Sequence, residues 1–371
     1  MKRIRLLLLL MAAAYEVACG ANPTSAPLSP SLPPHTAASA EASPAPSAIP
    51  ASPTPALPVL TKLTEPGCCA DPGWSADSKM VTFVDKPAGS DQAGIYGVPI
   101  TGGPEQLISA QVGQLNADGK YLAFLDGKNE TVIRRLDGST DQIIDDGGQR
   151  PVISPGDKRL AWVFSTQVDV VIGTRVDIVV ADMDGGSQQP ILTVYDGGIA
   201  GWLDDDHLLV VGRKSASPGD LYLFSLDVTS GAQVDLVHET RMRDIAIAPG
   251  GKWVSYAVTF DTRQPPDDGL WVVSADGQTK TRLPVAGAMQ WRDDYRLLVI
   301  PLDIGAASHR LWQLDTRTGE GFYLTDLMRT SFRIEGGEWS VSPDGTMMVF
   351  LNEADHALWL MRLPDSLLKP S

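Results

Sequence analysis

Ser342-Pro343-Asp344-Gly345-Thr346 runs directly into the apolar stretch Met347-Met348-Val349-Phe350-Leu351. An Asp-Gly turn that opens onto an unbroken apolar run of this length is a tight turn feeding a buried strand. Copies of this unit recur along the chain. Aligned on the residue before the turn, they stand at Trp74, Leu115, Ile153, Trp202, Ile247, Trp291 and Val341, with steps of 41, 38, 49, 45, 44 and 50 residues. Such steps surround the roughly 40–45 residues of one four-stranded propeller blade. Single blades cannot bury their own faces, so the repeats must pack in series. The expected fold is all-β, a seven-bladed β-propeller over residues 59–364.

Each unit has the same grammar. Trp74-Ser75-Ala76-Asp77 is a turn, Met80 to Val84 a strand, Gly94 to Val98 the next, and Thr101-Gly102-Gly103 turns the chain into a fourth. Glycines supply the positive φ of tight hairpins, and β-branched and aromatic residues fill the strands between them. The last unit stops after three strands, near Leu363-Pro364. Val59-Leu60-Thr61-Lys62-Leu63-Thr64, ahead of the first unit, is similar to the fourth-strand stretch Phe322 to Thr325 and is expected to complete the last blade. Closure of this kind removes exposed sheet edges.

Trp74-Ser75-Ala76-Asp77 and Ser342-Pro343-Asp344-Gly345, each before an apolar strand, resemble the WD-repeat-like units of TolB-type β-propellers. The resemblance covers about residues 59–364 and implies the fold while saying little of function. TolB proteins carry an α/β domain ahead of the propeller, and here a Pro-rich segment takes its place. Propeller peptidases carry a hydrolase domain, for which this chain has neither a Gly-x-Ser-x-Gly elbow nor the length.

Lys2, Arg3 and Arg5 before the apolar run Leu6 to Ala14 read as a secretory signal peptide over residues 1–18, too short to span a membrane. Val17-Ala18-Cys19-Gly20 resembles the end of a bacterial lipoprotein signal, which implies a lipid on Cys19. Glu16 departs from that pattern. Residues 21–58 hold 11 of the 28 prolines and one formal charge, Glu41. Residues 19–58 are thus expected to be a disordered tether and 365–371 a short tail. The net charge of −15 excludes a nucleic-acid or anionic-lipid binder, so membrane association would run through the lipid anchor.

Candidate chemistry is sparse. The turn aspartates Asp77, Asp118, Asp205, Asp294 and Asp344 read as acceptors of local backbone amides. His238, His309 and His356 sit near one face but at separate outer strands, which argues against a shared metal. Cys68 and Cys69 are adjacent; a strained vicinal disulfide and a pair of thiols are both open. The blade connections nearest the axis carry Asp71, Gln149, Arg150, Arg241, Arg243, Arg333 and Glu338. Exposed arginines at the mouth of an acidic ring would favour carboxylate-bearing partners, unless local acids pair with them. Ser165 to Arg175 is expected as a long rim loop. The functional expectation is a non-enzymatic, lipid-tethered, extracytoplasmic binding or scaffold module for a protein or glycan. It would be monomeric, without cofactor or metal; the rival is a propeller hydrolase or lyase acting on envelope sugars or lactones.

Overall fold

The apolar runs after each turn become the middle strands of sheets that are covered on both faces, which is why they lack polar alternation. Val81, Thr82 and Phe83 are all buried, as is every residue from Met347 to Leu351. The structure is a computed structural model describing residues 57–364 except 68, 87–91, 117–118, 140, 170–171, 262–266 and 304. These residues lie in the compact unit Thr54–Ser371. The expected leader, Cys19, most of the tether, Cys68, Asp118 and the tail fall outside the described residues.

Strand β1 (Val59–Lys62) comes first. One sheet holds β2 (Ala70–Trp74), β3 (Met80–Asp85), β4 (Gly94–Pro99) and β5 (Gln106–Ser109). The next holds β6 (Gln114–Leu115), β7 (Tyr121–Leu125), β8 (Thr131–Arg135) and β9 (Gln142–Ile144). A larger sheet follows, with β10 (Val152–Ile153), β11 (Arg159–Asp169), β12 (Gly173–Asp182), β13 (Gln189–Trp202), β14 (His207–Arg213), β15 (Leu221–Asp227) and β16 (Gln233–Glu239). Then come β17 (Arg243–Ile247), β18 (Trp253–Val258), β19 (Gly269–Ser274) and β20 (Lys280–Arg282) in one sheet. The sheet after it holds β21 (Gly287–Trp291), β22 (Arg296–Pro301), β23 (Trp312–Asp315) and β24 (Gly321–Tyr323). The last contains β25 (Ile334–Val341), β26 (Met347–Asn352) and β27 (Ala357–Arg362), with β1 beyond β27.

The expectation of seven four-stranded blades is therefore corrected. Among the described residues the propeller has five four-stranded blades and one seven-stranded sheet, because the units at Ile153 and Trp202 are not separated. β13 runs from Gln189 to Trp202 without a linker, and Tyr195 pairs with both Arg175 and Arg213. Asp196 takes a left-handed φ of 49°, and the register shifts between Tyr195 and Gly198 let the strand change partners. The 49-residue step lengthens strands instead of adding a loop. Of Ser165 to Arg175, expected as a rim loop, residues 165–169 accordingly belong to β11 and 173–175 to β12.

The chain's two ends meet in the last blade. Val59 to Lys62 pair antiparallel with Arg362 to Trp359, and the Leu63 amide adds a bond to the Leu358 carbonyl at 2.8 Å. The Thr64 hydroxyl accepts the Leu358 amide at 2.9 Å. Val81, Phe83 and Val98 of the first blade share a core with Met347, Val349 and Leu360 of the last. Each such buried side chain contributes roughly 1.5–3 kcal/mol.

A second device ties neighbouring units. Trp74 donates its indole N–H to the Ser340 carbonyl at 3.2 Å, Trp202 to Val152 at 3.1 Å, and Trp291 to Ala246 at 3.1 Å. In each case the acceptor belongs to the preceding unit and lies one residue before its turn-aligned position. The turn aspartates also reach across: Asp205 accepts the Gly156 amide of the preceding unit at 2.7 Å, while Asp344 accepts Ser342 and Thr346 in its own turn. Gly345, at φ +67°, lies so close to the Arg292 carbonyl that a Cβ would stand 2.4 Å from it. Trp74→Phe keeps the ring but orphans the Ser340 carbonyl, and should lower the unfolding free energy by about 1–2 kcal/mol. An unchanged Tm would show that the indole bond adds nothing.

Candidate functional site

The connection from the second blade to the seven-stranded sheet is Asp145 to Arg150, and its shape follows from a buried carboxylate. Asp146 is 1 % exposed; its Oδ1 accepts the Gly148 and Gln149 amides at 2.9 and 3.2 Å. The Thr131 hydroxyl donates to the Gln149 carbonyl at 2.5 Å. Gly148 has φ +76°, and a Cβ there would stand 2.8 Å from the Asn129 carbonyl, so only glycine fits. Asp146 Oδ2 is buried without a hydrogen-bond partner among the described residues. Burial raises the Asp146 pKa above the ordinary carboxylate value, against the opposing pull of Thr131 and the two amides.

The loop so fixed presents Arg150 to a pocket of about 520 Å³ between the first two blades, bounded by Asp71, Pro72, Val112, Phe124 and Leu125. Arg150 is exposed and makes no hydrogen bond or ion pair among the described residues. Across the pocket the entry to β2 is strained: Cys69 has φ 81° and Asp71 φ 58°. The Asp71 amide donates to Glu338 Oε2 at 2.9 Å, which bridges first and last blades. Cys69 is disulfide-bonded and buried, its sulfur 3.8 Å from the Thr64 hydroxyl. Cys68, the expected partner in a vicinal pair, lies outside the described residues.

The other expected arginines are not equivalent. Arg243 pairs with Asp244 and Arg333 with Glu353, while Arg241 lies over the exposed Phe260 ring, 6.0 Å from its centroid. The histidines are held apart by different partners. His238 Nδ1 meets Asp220 at 3.2 Å and His356 Nδ1 meets Glu335 at 2.6 Å, the latter contact raising the His356 pKa. His309 accepts the Ile334 amide at 3.2 Å, and burial followed by the charge of Arg333 lowers its pKa. Among the described residues no three His, Cys, Asp or Glu side chains come together as a metal site would require. Sequence reasoning takes the pair Asp145-Asp146 as solvated loop charge, and this is corrected, because Asp146 is buried; its placement in Asp145-Asp146-Gly147-Gly148, a carboxylate before paired glycines in a tight loop, was the available signal.

No protein-family model matches the chain, and no curated protein matches it. Solved structures do. An oligogalacturonate lyase from Vibrio parahaemolyticus is 12 % identical, with 83 % of this chain and 94 % of that one covered and a TM-score of 0.60. The β-propeller domain of a trilobed protease from Pyrococcus furiosus is 13 % identical, covering 82 % and 97 %, with a TM-score of 0.55. TolB from Acinetobacter baumannii is 13 % identical over 76 % and 79 %, at a TM-score of 0.41. Likeness to the lyase and the protease domain shows the propeller fold, which enzymes and non-catalytic domains share.

Asp146 gives a signed pH prediction. With its folded pKa raised, the native protein keeps a proton that the unfolded chain releases above about pH 4. Its contribution therefore falls as pH rises from there to the raised value and is flat beyond. Asp146→Asn should remove that decline from a Tm-against-pH profile; a decline of equal size in the variant would assign it to other groups.

Proposed function

We propose that this chain is a non-enzymatic binding or scaffold module, displayed outside the cytoplasmic membrane, that engages a carboxylate-bearing protein or glycan at the mouth of its propeller. The observation that carries the reading is Arg150: a guanidinium that makes no ion pair among the described residues, set on a loop clamped by Asp146, over a pocket whose lining mixes Asp71, Thr82 and Gln114 with Val112, Phe124 and Leu125. A planar fork of donors in that setting recognises carboxylates bidentately. Elsewhere, Arg241 lies over the exposed Phe260 ring, a second arginine whose contact among the described residues is a ring and not an acid.

The rest of the molecule fits such a role. Strongly acidic surroundings would repel anions over most of the surface and leave the few unneutralised cations as the points at which a carboxylate can dock. The basic and apolar start of the chain, Cys19 and the proline-rich segment suit a lipid-tethered display, in which a monomer reaches partners at a distance from the membrane. The histidines, each engaged by its own neighbour, favour binding over a metal-assisted lyase reaction.

The test is affinity capture from detergent-solubilised envelope with the propeller as bait. Partner retained by the wild type should fall about tenfold or more with Arg150→Ala, in line with loss of a charge-assisted pair. Arg243→Ala, which removes an arginine already paired with Asp244, should retain it. Equal retention by wild type and Arg150→Ala would overturn the reading.

A further inference from the structure

The long strands β11, β12 and β13 have 11, 10 and 14 residues, whereas β7, β8 and β9 of the adjacent blade have 5, 5 and 3. Trp162, Val179 and Ala181 pack against Tyr121, Ile133 and Ile144 of that shorter blade. Further along the same face its strands have ended, and its outgoing loop reaches only the border, where Gly147 meets Phe164 and the Asp145 carbonyl accepts from Gln188. The overhang leaves an open groove of about 790 Å³, remote in the chain from the mouth residues of the first blade.

Its floor is a cross-strand row. Phe164 pairs with Asp177 and Asp177 with Thr193, so all three side chains share one face, with Arg175 two residues along. Phe164 is 40 % exposed, and its ring edge lies 3.4 Å from the position a Cβ would take on Gly147. Pro190, Ile191 and Leu192 continue the apolar surface.

The polar groups beside it are fixed and only partly used. Asp177 Oδ1 accepts Arg175 Nε at 3.1 Å, Arg175 Nη2 at 2.9 Å and the Thr193 hydroxyl at 2.5 Å. Asp177 Oδ2 and Arg175 Nη1 have no hydrogen-bond partner among the described residues. The Gln188 side-chain amide donates to the Asp145 and Gly185 carbonyls at 2.9 and 3.1 Å, and its oxygen has no hydrogen-bond partner among the described residues. An acceptor, a donor and a second acceptor thus line an exposed aromatic ring, and the charges of Arg175 and Asp177 cancel.

We propose that this groove binds a neutral oligosaccharide. A sugar ring offers an apolar C–H face to Phe164 and hydroxyls, each donor and acceptor, to Asp177, Arg175 and Gln188. Internal charge cancellation selects against ions, which separates this site from the carboxylate-directed mouth; the inference stands independently of that reading.

Calorimetric titration of the full chain with maltohexaose, cellohexaose and chitohexaose, and with a uronic-acid hexamer for comparison, tests it. At least one neutral hexasaccharide should bind, with affinity reduced about tenfold or more by Phe164→Ala and by Gln188→Ala, as loss of an aromatic platform or a polar anchor implies. Phe164→Tyr should keep binding, and Arg150→Ala should leave it unchanged. The proposal is overturned if no neutral hexasaccharide binds, if Phe164→Ala binds as the wild type does, if Arg150→Ala abolishes the binding, or if the charged hexamer binds more tightly.

Discussion

Pairing of β1 with β27 is the constraint on which the remaining sheets rest. The last blade has only three strands of its own, and a ring of twisted sheets with one incomplete member would carry an open edge. Supplying the missing strand from the start of the chain couples the first blade to the last through backbone bonds. The Trp74 indole, the Asp71 amide and the Ser78 hydroxyl, which accepts the Asp344 amide at 3.1 Å, add side-chain links across the same seam. Entropy is the reason such a seam must be strong: it closes a loop of almost the whole folded chain before its contacts form.

The seam also organises the mouth. The Glu338 carboxylate, within Ile334–Val341, accepts the Asp71 backbone amide and is engaged in closure. Arg150 on the facing side has no such tie. The seam uses a carboxylate as a hydrogen-bond acceptor while the guanidinium is left available, and this contrast gives the mouth its polarity. The loop bearing Arg150 also borders the outer groove, through Asp145 and Gly147, so one connection with a buried acid at its centre shapes both surfaces.

Much of this was legible in the residues. Turn composition and the spacing of apolar runs located nearly every strand, and the lone strand at Val59 was recognisable because the last unit lacked one. Blade separation at Tyr195 was not legible, since a 49-residue step is compatible with a longer loop as readily as with a strand that changes partners. The inner-face arginines were placed by topology, but their differences depend on neighbours distant in sequence or on side-chain direction. Arg333 meets Glu353 and Arg241 meets Phe260, pairings that periodicity does not encode. The outer groove was invisible for the same reason: it arises from a mismatch in strand length between adjacent blades.

Amide hydrogen exchange on the full chain and on a chain lacking Val59 to Lys62 tests the closure most directly. Loss of β1 should strip protection from Ala357–Arg362 and, through the shared core, from Ala70–Trp74, while Leu221–Asp227 inside the seven-stranded sheet keeps it. Unchanged protection of Ala357–Arg362, or an equal loss across all sheets, would contradict closure as the element that holds the ring.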